Sequence, residues 1–180
     1  MSVALPQLLE PARFDALLLD LYGPALMPAQ RPVLVSQWSK YYFALIWQSL
    51  LGGAHLPAFA VTELTLDGRG LPLALSARDE HCLGLAAILA QHLHPLVQGL
   101  AAVGPVAPAV LWGNAGDCLD QALQRVEGND SGLGHLLNSP DSPLYAAVSL
   151  DAAGQRRRRT CCLSYKVQWV GHCEHCPLLA

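Results

Sequence analysis

Apolar residues recur at helical spacing along most of the chain. After Pro11, the residues Phe14, Leu17, Leu18 and Leu21 share one face, and Gly23-Pro24 closes the run. That is the pattern of a proline-opened, glycine-closed helix. Pro32 opens a second, in which Trp38, Tyr41, Tyr42, Leu45, Ile46 and Leu50 repeat in steps of three and four up to Gly52-Gly53. Between 61 and 75 the pattern changes. Val61-Thr62-Glu63-Leu64-Thr65-Leu66 and Leu71-Pro72-Leu73-Ala74-Leu75 flank Asp67-Gly68-Arg69-Gly70, which predicts a hairpin with a glycine turn. Pro72 then belongs on an edge or at a strand start. Leu85, Ile88, Leu89, Leu93, Leu96 and Leu100 predict a third helix over about 81–101, kinked at Pro95. Cys118, Leu119, Ala122, Leu123 and Val126 predict a fourth over about 115–126, following Pro108. Residues 127–143 are rich in Gly, Asn, Ser, Asp and Pro and read as a linker with one turn at Leu133–Leu137. The fold class is therefore α+β and mainly helical. A helical body spans 1–155 with one small hairpin, and a cysteine-bearing segment, 156–180, packs against it.

Composition agrees. Leu and Ala dominate while Ile occurs only at 46 and 88, which favours helix over sheet. Apolar residues are 52% and charged residues 14% of 180, which excludes a disordered chain. Net charge is −3, so no broad nucleic-acid-binding surface is expected. The start has no basic stretch before an apolar core, and no unbroken apolar run reaches the roughly 18 residues of a bilayer span. These features predict a cytoplasmic chain whose membrane contact, if any, is peripheral. Charge is unevenly spread: the last segment holds Arg156, Arg157, Arg158, Arg159 and Lys166 against Glu174 alone.

Four of the six cysteines lie in that basic segment, as Cys161-Cys162, ten residues, then Cys173-Glu174-His175-Cys176. A Cys-x-x-Cys turn aims two sulfurs at one metal. Alone it is common, and thiol redox proteins use it too. The second pair completes a set of four. Adjacent cysteines are awkward, because neighbouring side chains on a strand point to opposite faces, and structural zinc sites prefer ligands two to four residues apart. Two irons distribute four sulfurs more tolerantly. Chemistry alone leaves three readings: a 2Fe–2S cluster, zinc, or free and disulfide-bonded thiols.

Arg159-Thr160-Cys161-Cys162-Leu163-Ser164-Tyr165 followed by Cys173-Glu174-His175-Cys176-Pro177-Leu178 resembles the C-terminus of the FhuF-type ferric siderophore reductases. Ser36-Gln37-Trp38-Ser39-Lys40-Tyr41-Tyr42-Phe43 is similar to a helix of that family, and Leu111-Trp112-Gly113-Asn114-Ala115 to its Trp-x-Asn element. The resemblance runs from about 36 to 178. It implies a 2Fe–2S cluster on Cys161, Cys162, Cys173 and Cys176. It also implies one-electron reduction of siderophore-bound Fe(III), with hydroxamates the favoured chelates. No Gly-x-Gly-x-x-Gly or phosphate loop marks a nucleotide site, so electrons would come from a separate donor. Two other functions fit the residues: an iron–sulfur carrier or sensor with a protein partner, and a zinc-stabilised adaptor.

Around the cysteines, Arg156–Arg159 read either as a solvated basic patch or as charge favouring a reduced, more anionic cluster, with Arg158 and Arg159 nearest. Tyr165 and Trp169 are expected to shield the site from water. His172 and His175 read as exposed surface residues, with hydrogen bonds to sulfur and, in place of cysteine, ligation of iron as the alternatives. Trp38, Tyr41 and Tyr42 read as core, Asn114 as a helix cap, and Cys82 and Cys118 as buried small hydrophobes. His81 with Asp79 and Glu80 reads as capping and surface, with metal ligation as the alternative.

Overall fold

A computed structural model describes residues 1–27, 29–77, 82–126, 132–167 and 169–179. The chain order is β1 (Ser2–Ala4), α1 (Leu5–Leu8), α2 (Pro11–Tyr22), α3 (Arg31–Leu51), β2 (Leu56–Pro57), β3 (Thr62–Leu66), β4 (Pro72–Ala77) and β5 (Cys82–Leu83). It continues through α4 (Leu85–Ile88), α5 (His94–Val103), α6 (Pro108–Gln124), α7 (His135–Asn138), β6 (Val148–Leu150) and β7 (Arg156–Arg158). Helix dominates, as the leucine and alanine content demands.

The centre of the fold is the pair α3 and α6. α3 buries both sides: Trp38, Tyr42, Phe43, Ile46 and Trp47 are fully inaccessible, and so are Ser36 and Ser39. On one side Trp38 meets the edge of Phe14 of α2 at 5.0 Å between ring centroids, and stacks on Tyr42 at 5.6 Å. Packing offset and edge-on rings avoids the repulsion of facing π clouds. On the other side Trp47 Nε1 donates to the Ala115 carbonyl at 2.8 Å, satisfying an indole N–H that burial would otherwise strand. The expected aromatic core is present except at Tyr41, which is half exposed.

The predicted hairpin is β3–β4, with Pro72 at the start of its strand. Asp67 Oδ1 accepts the Arg69 and Leu71 amides at 2.8 Å each, closing the glycine turn. These backbone donors hold the Asp67 carboxyl below its usual range. The sequence pattern did not mark β1, three residues that extend the hairpin to an antiparallel sheet of order β1-β3-β4.

Two helix boundaries differ from expectation. The third helical run starts at Leu85, with Cys82 in a short strand paired to β2 and exposed rather than buried. It carries a π turn over Leu89–Leu93 immediately before Pro95. Proline lacks an N–H and its ring crowds the carbonyl four residues back, so the ladder widens there. The α6 helix starts at Pro108, seven residues early, because Gly113 and Gly116 serve packing and do not break it. Residues 78–81 and 127–131 lie outside the described residues, and with them Asp79, Glu80 and His81. By length and composition the stretch Leu85–Val103 could cross a bilayer; its hydropathy averages across Gln91 and His92. In the fold Ile88, Leu93, Leu96, Val97 and Leu100 of this stretch lie in the core.

The π turn points His92 inward. His92 is fully buried, with Nδ1 2.7 Å from the Pro57 carbonyl and Nε2 3.0 Å from the Tyr42 hydroxyl. The arrangement suits neutral imidazole, which donates to the carbonyl and accepts from the hydroxyl. Burial pushes its pKa down to about 4, against the Pro57 bond. The unfolded chain therefore binds a proton that the folded chain refuses, and stability is lost as pH falls from about 6.5 towards 4. We expect a loss on the order of 3 kcal/mol across that window. Urea unfolding of the protein at pH 7 and pH 5 should show this fall, and His92→Gln should flatten it. Equal pH slopes in the two proteins would show that His92 is not the titrating group.

Candidate metal centre

The last forty residues reach the body through a two-stranded ribbon, β6 against β7, in which Val148 pairs with Arg158 and Leu150 with Arg156. The ribbon lies against α6 at an unusually short distance. A methyl group on Gly113 would stand 1.8 Å from Thr160 Oγ1, and one on Gly116 2.2 Å from the Ala147 methyl. Both glycines are buried in the middle of a helix, where alanine would be better for the helix itself. Contact with the ribbon decides the residue.

The period-two alternation of a strand separates the arginines. Arg156 pairs with Asp120 at 3.0 Å and Arg157 with Asp151 at 2.9 Å, both partly in solvent. Arg159 is exposed, its amide bonded to the Ala147 carbonyl at 2.8 Å. The side chain of Arg158 is completely buried. Its Nη2 donates to Asn114 Oδ1 and its Nη1 stands 3.5 Å from Asp117 Oδ2. The basic run is thus not a uniform solvated patch.

Asn114 is an interior residue of α6, not a cap. Its Nδ2 donates towards the Ser36 carbonyl at 2.9 Å and the Ser36 and Ser39 hydroxyls at 3.0 and 2.9 Å. Ser36 Oγ and Gln37 Nε2 both donate to the Cys162 carbonyl at 2.8 Å. A chain of donors therefore runs Arg158, Asn114, Ser36 and Cys162. A second branch runs through Asp117, whose Oδ1 is 2.7 Å from His175 Nδ1, and the His175 carbonyl accepts the Arg158 amide at 2.9 Å. Both cysteine pairs are tied to one buried polar network.

The adjacent cysteines are followed by Leu163 in the left-handed region, with φ of +65°. The chain reverses there into a single 3-10 turn, and the Leu163 amide donates to Cys161 Sγ at 3.3 Å. A second reversal at Gly171, φ +68°, brings back Cys173 and Cys176, whose turn closes with a 3.1 Å bond from the Cys176 amide to the Cys173 carbonyl. Cys162 and Cys176 are buried, while Cys161 and Cys173 are partly open. The Cys173 thiol donates to Cys162, and this bond, with Lys40, Ser164 and Arg158 adding to it, pulls the Cys162 thiol down to about 4 against burial. The same bond raises Cys173 strongly. Burial raises Cys161, with the Leu163 amide opposing. Cys118, also buried, is pushed up to about 12 by desolvation and is an inert core thiol.

The other expected residues divide. His172 Nδ1 lies 3.2 Å from Cys176 Sγ, and Tyr165 stacks on the His172 ring at 5.5 Å. His175 is buried on Asp117 rather than on sulfur. Trp169 is 70% exposed and shields nothing, because the turn ahead of Gly171 carries it outward. Asp117, Ser39 and the network role of Asn114 were not visible in the sequence. A buried polar residue on a helix is seen only once its partners, 40 to 80 positions away, are known. Beside the centre, Gln37, Lys40, Tyr41, Ala44, Cys118 and Gln121 line an open cleft of about 280 Å³.

The donor set fits an iron–sulfur cluster. Four soft thiols in two pairs suit iron, and the fold brings the pairs together where the Cys173 thiol meets Cys162. The buried Arg158 guanidinium has its Nε unpartnered, a cost of about 1–3 kcal/mol if no acceptor arrives.

Four thiols in two pairs on a helical scaffold are the donor set of a metal-binding protein. Residues 60–160 match the family described as ferric iron reductase FhuF-like transporter, and 158–178 match the FhuF 2Fe-2S C-terminal domain. The chain belongs to the FhuF family, and its C-terminal segment is of the 2Fe–2S-binding type. It is 32% identical over 103 residues to a ferric siderophore reductase of Escherichia coli K12, a match covering 51% of this chain and 39% of the relative.

Gly116→Ala should destabilise the protein by about 1–3 kcal/mol through overpacking. Adding Ala147→Gly should restore most of the loss, because it removes the methyl that the new side chain meets. Thermal unfolding of the two variants checks this, and failure of the second change to rescue would place the constraint elsewhere.

Proposed function

We propose that the protein is a ferric siderophore reductase that passes one electron to Fe(III) held in an oxygen-donor chelate, with Cys161, Cys162, Cys173 and Cys176 holding a 2Fe–2S cluster. The observation that carries the reading is the meeting of both cysteine pairs on one buried network, in a chain of the FhuF family. In this reading residues 1–155 supply the body and substrate surface and 156–180 the cluster-bearing segment. The site of action is the cytoplasm, where cysteines stay reduced and available to a metal, in keeping with six cysteines and no disulfide among the described residues.

The cluster, when bound, supplies a single electron at a potential set by its surroundings. The protein supplies the rest. Ser36 and Gln37 fix the Cys162 backbone, the Asp117–His175 pair anchors the second turn, and the buried faces of Cys162 and Cys176 keep water from one side. Cys161 and Cys173 leave the other side open for close approach. The open cleft lined by Gln37, Lys40 and Tyr41 gives the chelate a mainly apolar surface with one cation beside it to dock on. No covalent bond to the chelate is needed. Hard hydroxamate oxygens hold Fe(III) far better than Fe(II), so one electron loosens the iron for release. Catecholate complexes are harder to reduce, which favours hydroxamates. A separate carrier reloads the protein.

Rapid mixing of the reduced protein with ferric hydroxamates should reoxidise it faster than ferric citrate does, with one electron transferred per chain. Iron and acid-labile sulfide should fall sharply in Cys161→Ser, Cys162→Ser, Cys173→Ser and Cys176→Ser, and stay full in Cys82→Ser and Cys118→Ser. A full cluster in Cys162→Ser would refute the ligand set. Reoxidation no faster than with citrate for every chelate would turn the reading towards an electron carrier.

A further inference from the structure

Arg158 is held on one side only. Asn114 takes its Nη2, Asp117 stands just beyond bonding distance of Nη1, and neither Nε nor Nη1 has a hydrogen-bond acceptor. The side chain has no contact with water. Guanidinium is a fork of five donors in one plane, and an N–H left idle in a dry interior needs a partner. The cysteine centre is adjacent: the Arg158 amide bonds to the carbonyl of His175, between Cys173 and Cys176, at 2.9 Å. The Asn114 that takes its Nη2 also donates to Ser36, whose hydroxyl holds the Cys162 carbonyl at 2.8 Å, so the fork is tied to both cysteine pairs. The other arginines are poor candidates for this role. Arg156 and Arg157 are matched by carboxylates at the surface, Arg159 is exposed, and solvent and salt screen all three.

Resting on the cluster reading above, we propose that Arg158 is the potential-setting residue of the centre. Its free guanidinium edge donates N–H···S hydrogen bonds to the cluster's sulfurs, and Asn114 and Asp117 hold the fork in place. Positive charge and sulfur-directed hydrogen bonds both favour the reduced, more negative state. Asp117 opposes this in part as a buried negative charge on the same guanidinium. The two residues form a pair in which one raises the potential and the other moderates it.

Potentiometric titration of the cluster-loaded protein tests the pair, at about pH 8.5 where ordinary histidine is neutral. Arg158→Met should shift the reduction equilibrium at least tenfold towards the oxidised form, which is 59 mV for a one-electron couple. Arg158→Lys keeps the charge and loses the fork, and should fall between. Asp117→Asn should shift the equilibrium the opposite way. Both Arg158→Met and Asp117→Asn break a buried ion pair and should lower thermal stability, so a merely structural role would move the two variants in the same direction. Resonance Raman adds an independent readout: the iron–sulfur stretching bands should lose their sensitivity to deuterium exchange in Arg158→Met. If that variant does not fold, Arg158→Lys and Asp117→Asn carry the test. Wild-type potentials in both, or shifts of one sign in Asp117→Asn and either arginine variant, would overturn the proposal. A wild-type chain that takes up no iron and sulfide would overturn the cluster reading itself, before any variant is compared.

Discussion

A single carboxamide, that of Asn114, lies where α3, α6 and the arginine ribbon meet, and the centre depends on it. Its amide nitrogen is spent on α3 and its oxygen on Arg158. An amide has donors at one end and acceptors at the other, so it can join a serine-lined helix to a cation. A hydrocarbon would join neither, and a carboxylate would satisfy only the cation. Buried hydrogen-bond networks impose one arrangement on the elements they join. Here the arrangement fixes the Cys162 backbone against Ser36 and the second cysteine turn against Asp117.

Such a network is safe only in a dry and closely packed place. The two glycines of α6 provide the closeness, and the aromatic layer of α3 the dryness. The helix gives up propensity at Gly113 and Gly116, and the ribbon comes near enough for Arg158 to reach inside. Burying a guanidinium is costly unless charge and hydrogen bonds meet it. Asn114 and Asp117 meet one edge. The other edge has no acceptor among the described residues, so the scaffold keeps a cation with donors to spare beside the cysteine segment.

Much of this was legible in the chain, and the division follows the range of the interactions involved. Pro11, Gly23, the Asp67–Gly70 turn and the alternation of β3 are local signals, and each was read where it occurs. The cysteine spacing is local too. The misread positions are those whose meaning lies far away. Asn114 reads as a helix cap because asparagine favours that position; the Ser36 and Arg158 contacts that explain it are more than forty residues distant. Trp169 reads as shielding on composition, since tryptophan is usually buried, but the turn that exposes it is a matter of backbone path. The arginine run reads as one patch until strand pairing sends alternate members to opposite faces.

The Ser36 to Cys162 hydrogen bond spans 126 positions, and that separation has a consequence for the order of synthesis. On the ribosome, α3 emerges long before its partner segment. Its aromatic side can close on α2 early, while Ser36, Gln37 and Ser39 stay hydrated and await α6 and then the cysteine segment. The pocket for the cofactor cannot exist until Arg158 has left the exit tunnel and displaced that water. Cofactor delivery must therefore wait until everything from α3 to Cys176 has been made, and the assembly machinery meets a scaffold that is already standing rather than one that folds around its cargo.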